Sequence, residues 1–528
     1  MTRVIIAVLL AGAAAAPAQV SYDRLKNALK EPQNWLTYWG DYSAIRHRDL
    51  KQITTDNVKD LRLEWMFQTG QAGSGFQTMP LVVDGVMYFT GGNGLGYALD
   101  ARSGRQLWRY QHPFPGGKKI NMSNRGFAML GDKLYMVSPD AWVVCLEAKT
   151  GRLLWQTEMA PYTGGQYTST LAPLAVKNLI ITGISGAEFG IRGFVDAYDA
   201  GTGKRVWRFW TIPAKGEPGG DTWLGDSGKR GGGSTWMTGT FDPELNTLYW
   251  GVGNPGPDLD GKVRLGDNLY TDSLVALDPD TGKLKWHFQF TPHDTHDWDA
   301  CETPMLLDLE WQGRKRKLVV TANRNAFFYV LDRETGEFLM GKPFARQTWA
   351  SGLNDKGRPM VLPNSDPSTE GTKLCPGLAG AANWMAPSYS PQTGLFYFPV
   401  REQCDVYFTS PAVYIEGKPY WGSTFRGVTE EKEWGLLKAV DPLSGKTSWE
   451  YRYYRAPWAG TLSTAGGVVF AGDEDGYLMA FDARNGTNLW KMYTGARLNS
   501  SPITWELDGR QYVTMPSGAS LLTFALPR

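Results

Sequence analysis

The chain has 528 residues, 54 Lys and Arg against 53 Asp and Glu for a net charge of +1, 13% aromatic residues and 62 glycines. So even a charge balance excludes electrostatic capture of nucleic acid or of an anionic membrane. The aromatic and glycine content, without dominance of Lys and Glu, favours strands joined by many turns.

The N-terminus, MTRVIIAVLLAGAAAAPAQVS, sets Arg3 before an apolar run from Val4 to Ala16 and then Ala16-Pro17-Ala18. This is the pattern of a secretory signal over residues 1–18, cut near Gln19. The run is shorter than the roughly 20 residues that cross a bilayer, and no later segment is apolar enough to do so. A periplasmic protein with no membrane span is expected, with residues 19–528 as one domain. Its four cysteines, Cys145, Cys301, Cys375 and Cys404, form no CxxC or CxxCH, which argues against attached haem and a thiolate zinc site. Three full pairings remain open to them.

From residue 100 onward one pattern recurs: an acid, glycine four residues later, and tryptophan four residues after that. The trios are Asp100/Gly104/Trp108, Glu147/Gly151/Trp155, Asp199/Gly203/Trp207, Asp278/Gly282/Trp286, Asp332/Gly336/Met340, Asp441/Gly445/Trp449 and Asp482/Gly486/Trp490. An acid that caps a turn, a glycine for positive φ and a large aromatic on the outgoing strand describe a hairpin whose aromatic can pack between neighbours. Met340 keeps the apolar volume without the indole donor. Seven copies, with Trp65 in LRLEWMFQTG lacking the preceding turn, predict an all-β, eight-bladed β-propeller whose last blade joins the two ends of the chain. The long intervals, 203–275 and 340–440, then hold loops inserted on one face.

HDTHDWDA, residues 293–300, follows the fourth copy and holds two of the five histidines with three aspartates. Asp297 and Asp299 would point the same way along an extended segment. With Glu188 of SGAEFGIRG and Asn254 of GVGNPGP they form three carboxylates and an amide oxygen, a set for a hard cation. A trivalent ion needs that charge more than Ca²⁺ does. Zinc on His293 and His296 fits poorly, because zinc hydrolase sites draw on more imidazole. Trp236, after three glycines in GGGSTWM, reads equally as blade packing or as a floor for a flat ligand.

NWLTYWGDYSAIRHRDL, APLAVKNLIITGISGAEFGIRGFVDAYD, the GGGSTW and GVGNPGP pair and TPHDTHDWDA together resemble the pyrroloquinoline quinone (PQQ) dependent alcohol dehydrogenases, the methanol and ethanol dehydrogenase group, from about Asn34 to Leu526. The turn-Trp repeat is similar to the tryptophan docking motif of that family. The resemblance implies oxidation of a small primary alcohol to an aldehyde by hydride transfer to metal-activated PQQ. A separate c-type cytochrome is the implied electron acceptor.

Position by position, the resemblance makes Glu188 and Asn254 metal ligands and Asp297 both ligand and catalytic base. Asp299 falls where lanthanide-dependent members carry an extra aspartate and the calcium enzymes a small residue, so the implied ion is a lanthanide, with Ca²⁺ the alternative. Trp236 is implied as the floor under the quinone, and Arg324 as the donor to its reactive oxygen. Further cofactor contacts implied are Gln77, Arg125, Thr170, Ser185, Gly186, Ala187, Ser234, Asn383, Trp384 and Trp458. Cys375 and Cys404 match the family disulfide, which leaves Cys145 and Cys301 as free thiols.

Two positions depart from the family pattern. Lys119 and Ile120 stand where members often carry adjacent cysteines over the quinone, and Gln77 stands where many have Glu. Two rival functions carry over: a calcium-dependent sugar or polyol dehydrogenase of the same superfamily, and a non-catalytic scaffold propeller in which the four ligand residues have no need to converge. Whether the chain acts alone or as a homodimer is open at this level.

Overall fold

The computed structural model describes residues 20–528 except 71–75, 115–119 and 163–165. The expected signal segment and Lys119 lie outside the described residues. Among these, the only α-helix is Tyr22–Lys26, and nearly everything else is strand and turn. No helix in them is long and apolar enough to cross a membrane.

Each turn-Trp copy joins the last two strands of a sheet. In the first sheet, Leu81–Val83, Val86–Gly91, Leu95–Asp100 and Gln106–Gln111 pair antiparallel in chain order, and Asp100 Oδ1 accepts from the Ser103 N–H at 3.0 Å to shape the turn. Among the described residues this plan gives seven four-stranded sheets and one of five strands, with two smaller sheets of two and three strands. The last four-stranded sheet takes its outer strand, Arg62–Gln68, from the N-terminal side and its other three from the C-terminal end, pairing Arg62 with Ala525. That is the closure expected of Trp65.

The sheets dock in sequence through the repeat. A Cβ on Gly104 would lie 2.7 Å from Trp65, one on Gly151 2.6 Å from Trp108, and one on Gly203 2.5 Å from Trp155. Each tryptophan therefore lies flat on a glycine of the next copy, at a φ of about +70° that other residues rarely adopt. The indole N–H adds a bond to the following sheet: Trp65 donates to the Ala101 carbonyl at 3.0 Å and Trp108 to that of Ala148 at 2.9 Å. Trp155 and Trp286 are exceptions, their buried indole N–H groups having no hydrogen-bond partner. Sheets that dock one after another and close end to end make a β-propeller.

The segment from Asn34 to Leu50 is largely buried, and its short strand His47–Arg48 pairs parallel with Thr461–Thr464 as the fifth strand of the five-stranded sheet. Tyr38 and Trp39 are buried in a cluster with Met79, Met237, Cys301 and Trp384. Trp39 donates to the carbonyls of Thr238 and Gly239 at 3.2 and 3.1 Å, which fixes the floor on which the GGGSTW loop rests.

Candidate active site

Nine of the expected residues line a single cavity of about 650 Å³: Thr170, Ser185, Gly186, Glu188, Ser234, Trp236, Asp297, Asp299 and Arg324. They come from five segments that are distant in sequence: Thr170, Ser185–Glu188, Ser234–Trp236, Asp297–Asp299 and Arg324. Glu188 sits on a single 3-10 turn, Ala187–Phe189, bounded by Gly186 and Gly190 with φ of 115° and 68°. Trp236 follows Gly232 and Gly233, whose φ values of 72° and 64° let that loop pass close under Asn254: the Gly233 N–H donates to the Asn254 carbonyl at 2.8 Å.

HDTHDWDA is not an extended segment. Asp297 has a φ of 61°, yet both Asp297 and Asp299 face the cavity. The histidines serve structure: His293 Nδ1 bonds the Gly266 carbonyl at 2.8 Å, while His296 bonds the Ser365 carbonyl at 2.8 Å and stacks 4.2 Å from Trp298. Asp294 accepts from the N–H groups of His296 and Trp298, capping the turn that presents Asp297.

Asp299 is the hub of the acidic end. Its carboxylate accepts from the Asn254 N–H at 2.8 Å and the Trp236 indole N–H at 3.0 Å, and pairs with Arg324 Nη2 at 3.0 Å. Arg324 also donates to the Asp297 carbonyl at 2.6 Å and lies 3.6 Å from its carboxylate. Gly253 has room for no side chain, since a Cβ there would lie 2.2 Å from Asp299 Oδ1.

Burial pushes the Glu188 carboxyl up, and the Asp299 charge adds to it; burial and the Glu188 charge push Asp258 well up. Burial, with Asp299 and Asp258 beside it, does the same to Asp297 against the pull of Arg324. Burial disfavours the Arg324 charge, but Asp299, Cys301 and Asp297 outweigh it and hold the guanidinium more firmly protonated than usual.

The expected cofactor residues outside the cavity wall form its support. Arg125 donates to Thr170 Oγ1 at 2.6 Å and stands 4.9 Å from the Trp236 ring and 5.4 Å from Trp384, and Trp384 stacks on Trp458 at 6.3 Å. Asn383 accepts from Arg324 at 3.4 Å and from the Trp384 N–H at 2.8 Å. Ala187 is buried beside Glu188. Gln77 does not line the cavity among the described residues; two residues on, the Met79 N–H donates to the Arg125 carbonyl at 2.9 Å.

Sequence reasoning missed Asp258, although it directly follows GVGNPGP, and it missed the apolar lining of Met122, Tyr162, Phe189 and Trp421. Cys375 and Cys404 form a disulfide, and Cys145 and Cys301 are buried free thiols.

A hard cation and a flat polyanionic ring fit these residues. Among the described residues no three His, Cys, Asp or Glu side chains already gather about one point, and Arg324 balances part of the acidic charge. The buried donors Arg125 Nε and Arg324 Nε and the buried acceptor Asp258 Oδ1 have no hydrogen-bond partner; carboxylate and carbonyl oxygens of a ligand can satisfy the first two and a bound cation the third. The donor set is oxygen-only, as a hard ion requires.

A family model described as "PQQ: Glucose/ethanol/alcohol dehydrogenase, beta-propeller domain" matches residues 35–342 and 428–513. The chain is 38% identical to the quinoprotein alcohol dehydrogenase PedH of Pseudomonas putida, over 98% of this chain and 91% of that protein. It is 36% identical to the lanthanide-dependent methanol dehydrogenase of Methylacidiphilum fumariolicum, over 94% and 86%. A solved europium-containing methanol dehydrogenase superposes with a TM-score of 0.90 at 33% identity, covering 96% of this chain and all of the other.

Proposed function

The chain belongs to the PQQ-dependent alcohol dehydrogenase family, and on that premise we propose that it oxidises primary alcohols to aldehydes with PQQ and a lanthanide ion, and passes the electrons to a c-type cytochrome in the periplasm. The eight sheets of four or more strands are read as the eight blades of one domain over residues 19–528, after removal of residues 1–18. The observation that carries the reading is the convergence of Glu188, Asp297, Asp299 and Arg324 on one cavity floored by Trp236. A non-catalytic scaffold has no use for that convergence.

Glu188, Asn254, Asp297 and Asp299 would hold the cation, and Trp236, Arg125, Thr170, Ser185, Ser234 and Asn383 would hold the quinone, with Trp384 and Trp458 packed behind. When bound, the pair supplies a hydride acceptor and a Lewis acid. Asp297 takes the proton of the alcohol hydroxyl, a role that needs its carboxylate ionised; a nearby polyvalent cation favours that form and offsets the burial that otherwise raises the group. Arg324 holds Asp297 through its carbonyl and offers its remaining N–H groups to negative charge developing in the cavity. Asp299, fixed by Asn254 and Trp236, adds the carboxylate that favours an ion of charge +3 over +2.

The test is reconstitution of the purified chain with PQQ and either La³⁺ or Ca²⁺, followed by dye-linked oxidation of a panel of alcohols. Activity greater with La³⁺ is expected. Activity only with Ca²⁺ would remove the lanthanide assignment, and none with either ion would remove the enzymatic reading.

A further inference from the structure

Residues 343–427 lie between the two segments that the family model matches. Within them, the stretch from Ser410 to Gly422 brings Trp421 to the wall of the cavity. Trp421 lines the cavity while 42% exposed, so it stands where the cavity meets solvent.

This stretch is pinned from both sides. The Tyr420 N–H donates to the Glu188 carbonyl at 2.6 Å, and the Trp421 carbonyl accepts from the Leu259 N–H at 2.8 Å. Asp260 Oδ2 accepts from the Ala412 N–H at 3.0 Å, and Gly422, at φ +72°, approaches so closely that a Cβ would lie 2.7 Å from Asp260. The Tyr414 hydroxyl accepts from Gln166 at 2.6 Å, with Arg230 3.7 Å over its ring. The indole is thus carried by backbone fastened to the two segments that bear Glu188 and Asn254.

Glu188, Asp297, Asp299 and Arg324 give the cavity its charged lining, and Met122, Phe189 and Trp421 give it apolar surface, with Trp421 on the solvent side. An alcohol placed with its hydroxyl at Asp297 and its tail toward solvent meets the Trp421 indole. Methanol has no tail to remove from water there, whereas an aromatic or long alkyl tail buries apolar surface against a pre-positioned indole. We propose that Trp421 is a specificity-determining residue that selects primary alcohols with an aromatic or extended apolar tail over methanol. This rests on the alcohol dehydrogenase reading above.

The experiment compares the reconstituted holoenzyme with its Trp421→Ala and Trp421→Phe variants on methanol, 1-hexanol and 2-phenylethanol, and measures by calorimetry the binding of the unreactive analogue 2-phenylacetamide. The wild type should prefer 2-phenylethanol and 1-hexanol to methanol in kcat/KM. Trp421→Ala should lower the 2-phenylethanol to methanol ratio tenfold or more, chiefly through KM, and weaken 2-phenylacetamide binding in parallel; Trp421→Phe should restore most of both. A wild type that oxidises alcohols but prefers methanol, or a Trp421→Ala variant with an unchanged ratio and unchanged analogue binding, overturns this inference alone. A wild type that oxidises no alcohol overturns the underlying reading as well.

Discussion

Asp299 and Arg324 form an ion pair at 3.0 Å in the cavity wall, and the same carboxylate also accepts from the Asn254 N–H and the Trp236 indole. One side chain therefore joins the expected metal ligands, the stacking floor and the arginine. Removing the arginine leaves that carboxylate and Asp297 without their cationic neighbour. Arg324→Ala is expected to lower kcat by about 10²- to 10³-fold, and Arg324→Lys, which cannot bridge both aspartates with a planar fork, to recover only part. Steady-state kinetics on the holoenzyme measure this.

Gly253 gives Asp299 its room. Gly253→Ala puts a methyl group 2.2 Å from Asp299 Oδ1 and 2.8 Å from Ser234 Oγ, so the carboxylate must turn away. Trivalent-ion binding, read by Tb³⁺ luminescence sensitised by nearby tryptophan, should weaken at least tenfold. Gly201→Ala, where the nearest atom is 3.4 Å away, should leave it unchanged.

The docking tryptophans are not equivalent. Trp108 donates to the Ala148 carbonyl, whereas the Trp155 indole N–H has no acceptor. Substitution by Phe keeps most of the packing in both, so Trp108→Phe should cost about 1 kcal/mol more than Trp155→Phe, the net value of one buried hydrogen bond. Denaturant midpoints of the two variants give the comparison, and equal losses would contradict it.

His47 is buried against Ser463, its ring nitrogen 2.9 Å from the hydroxyl, and burial, with Arg48 beside it, lowers its pKa to about 4. Above the unfolded value of about 6.5 neither state is protonated and the site has no effect. Between 6.5 and about 4 only the unfolded chain takes the proton, so stability falls as pH falls through that window, by up to about 3 kcal/mol. His47→Gln should flatten that part of the stability profile relative to the wild type. Denaturation curves at pH 7.5, 5.5 and 4 are sufficient to show it.

The blades were legible because their signal is local. Each acid, glycine and tryptophan lies within nine residues, and the spacing alone identifies the turn and the docking face. Trp65 stood out as a docking residue without its turn because its sheet is completed by strands from the other end of the chain. The polar half of the site was legible through short motifs around Glu188, Asn254 and Asp297, but the extended path assumed for HDTHDWDA was not the one taken, since Asp294 caps a turn there. The bridge from Arg324 to Asp299 spans separate loops, and Met122, Phe189 and Trp421 share no motif; only the closed fold brings them together. Asp258 was visible in the sequence and went unread because its prolines and glycines described a turn well enough.

The choice of ion turns on Asp299. The direct measurement is dye-linked alcohol oxidation by the wild type and Asp299→Ala, each reconstituted with PQQ and titrated with La³⁺ or Ca²⁺. Asp299→Ala is expected to lose La³⁺-supported activity by about 10²-fold or more, in line with removal of a charged group from the reacting site, and the ratio of La³⁺ to Ca²⁺ activity should fall with it. An Asp299→Ala enzyme that keeps the wild-type activity and ion preference would contradict this dependence on Asp299.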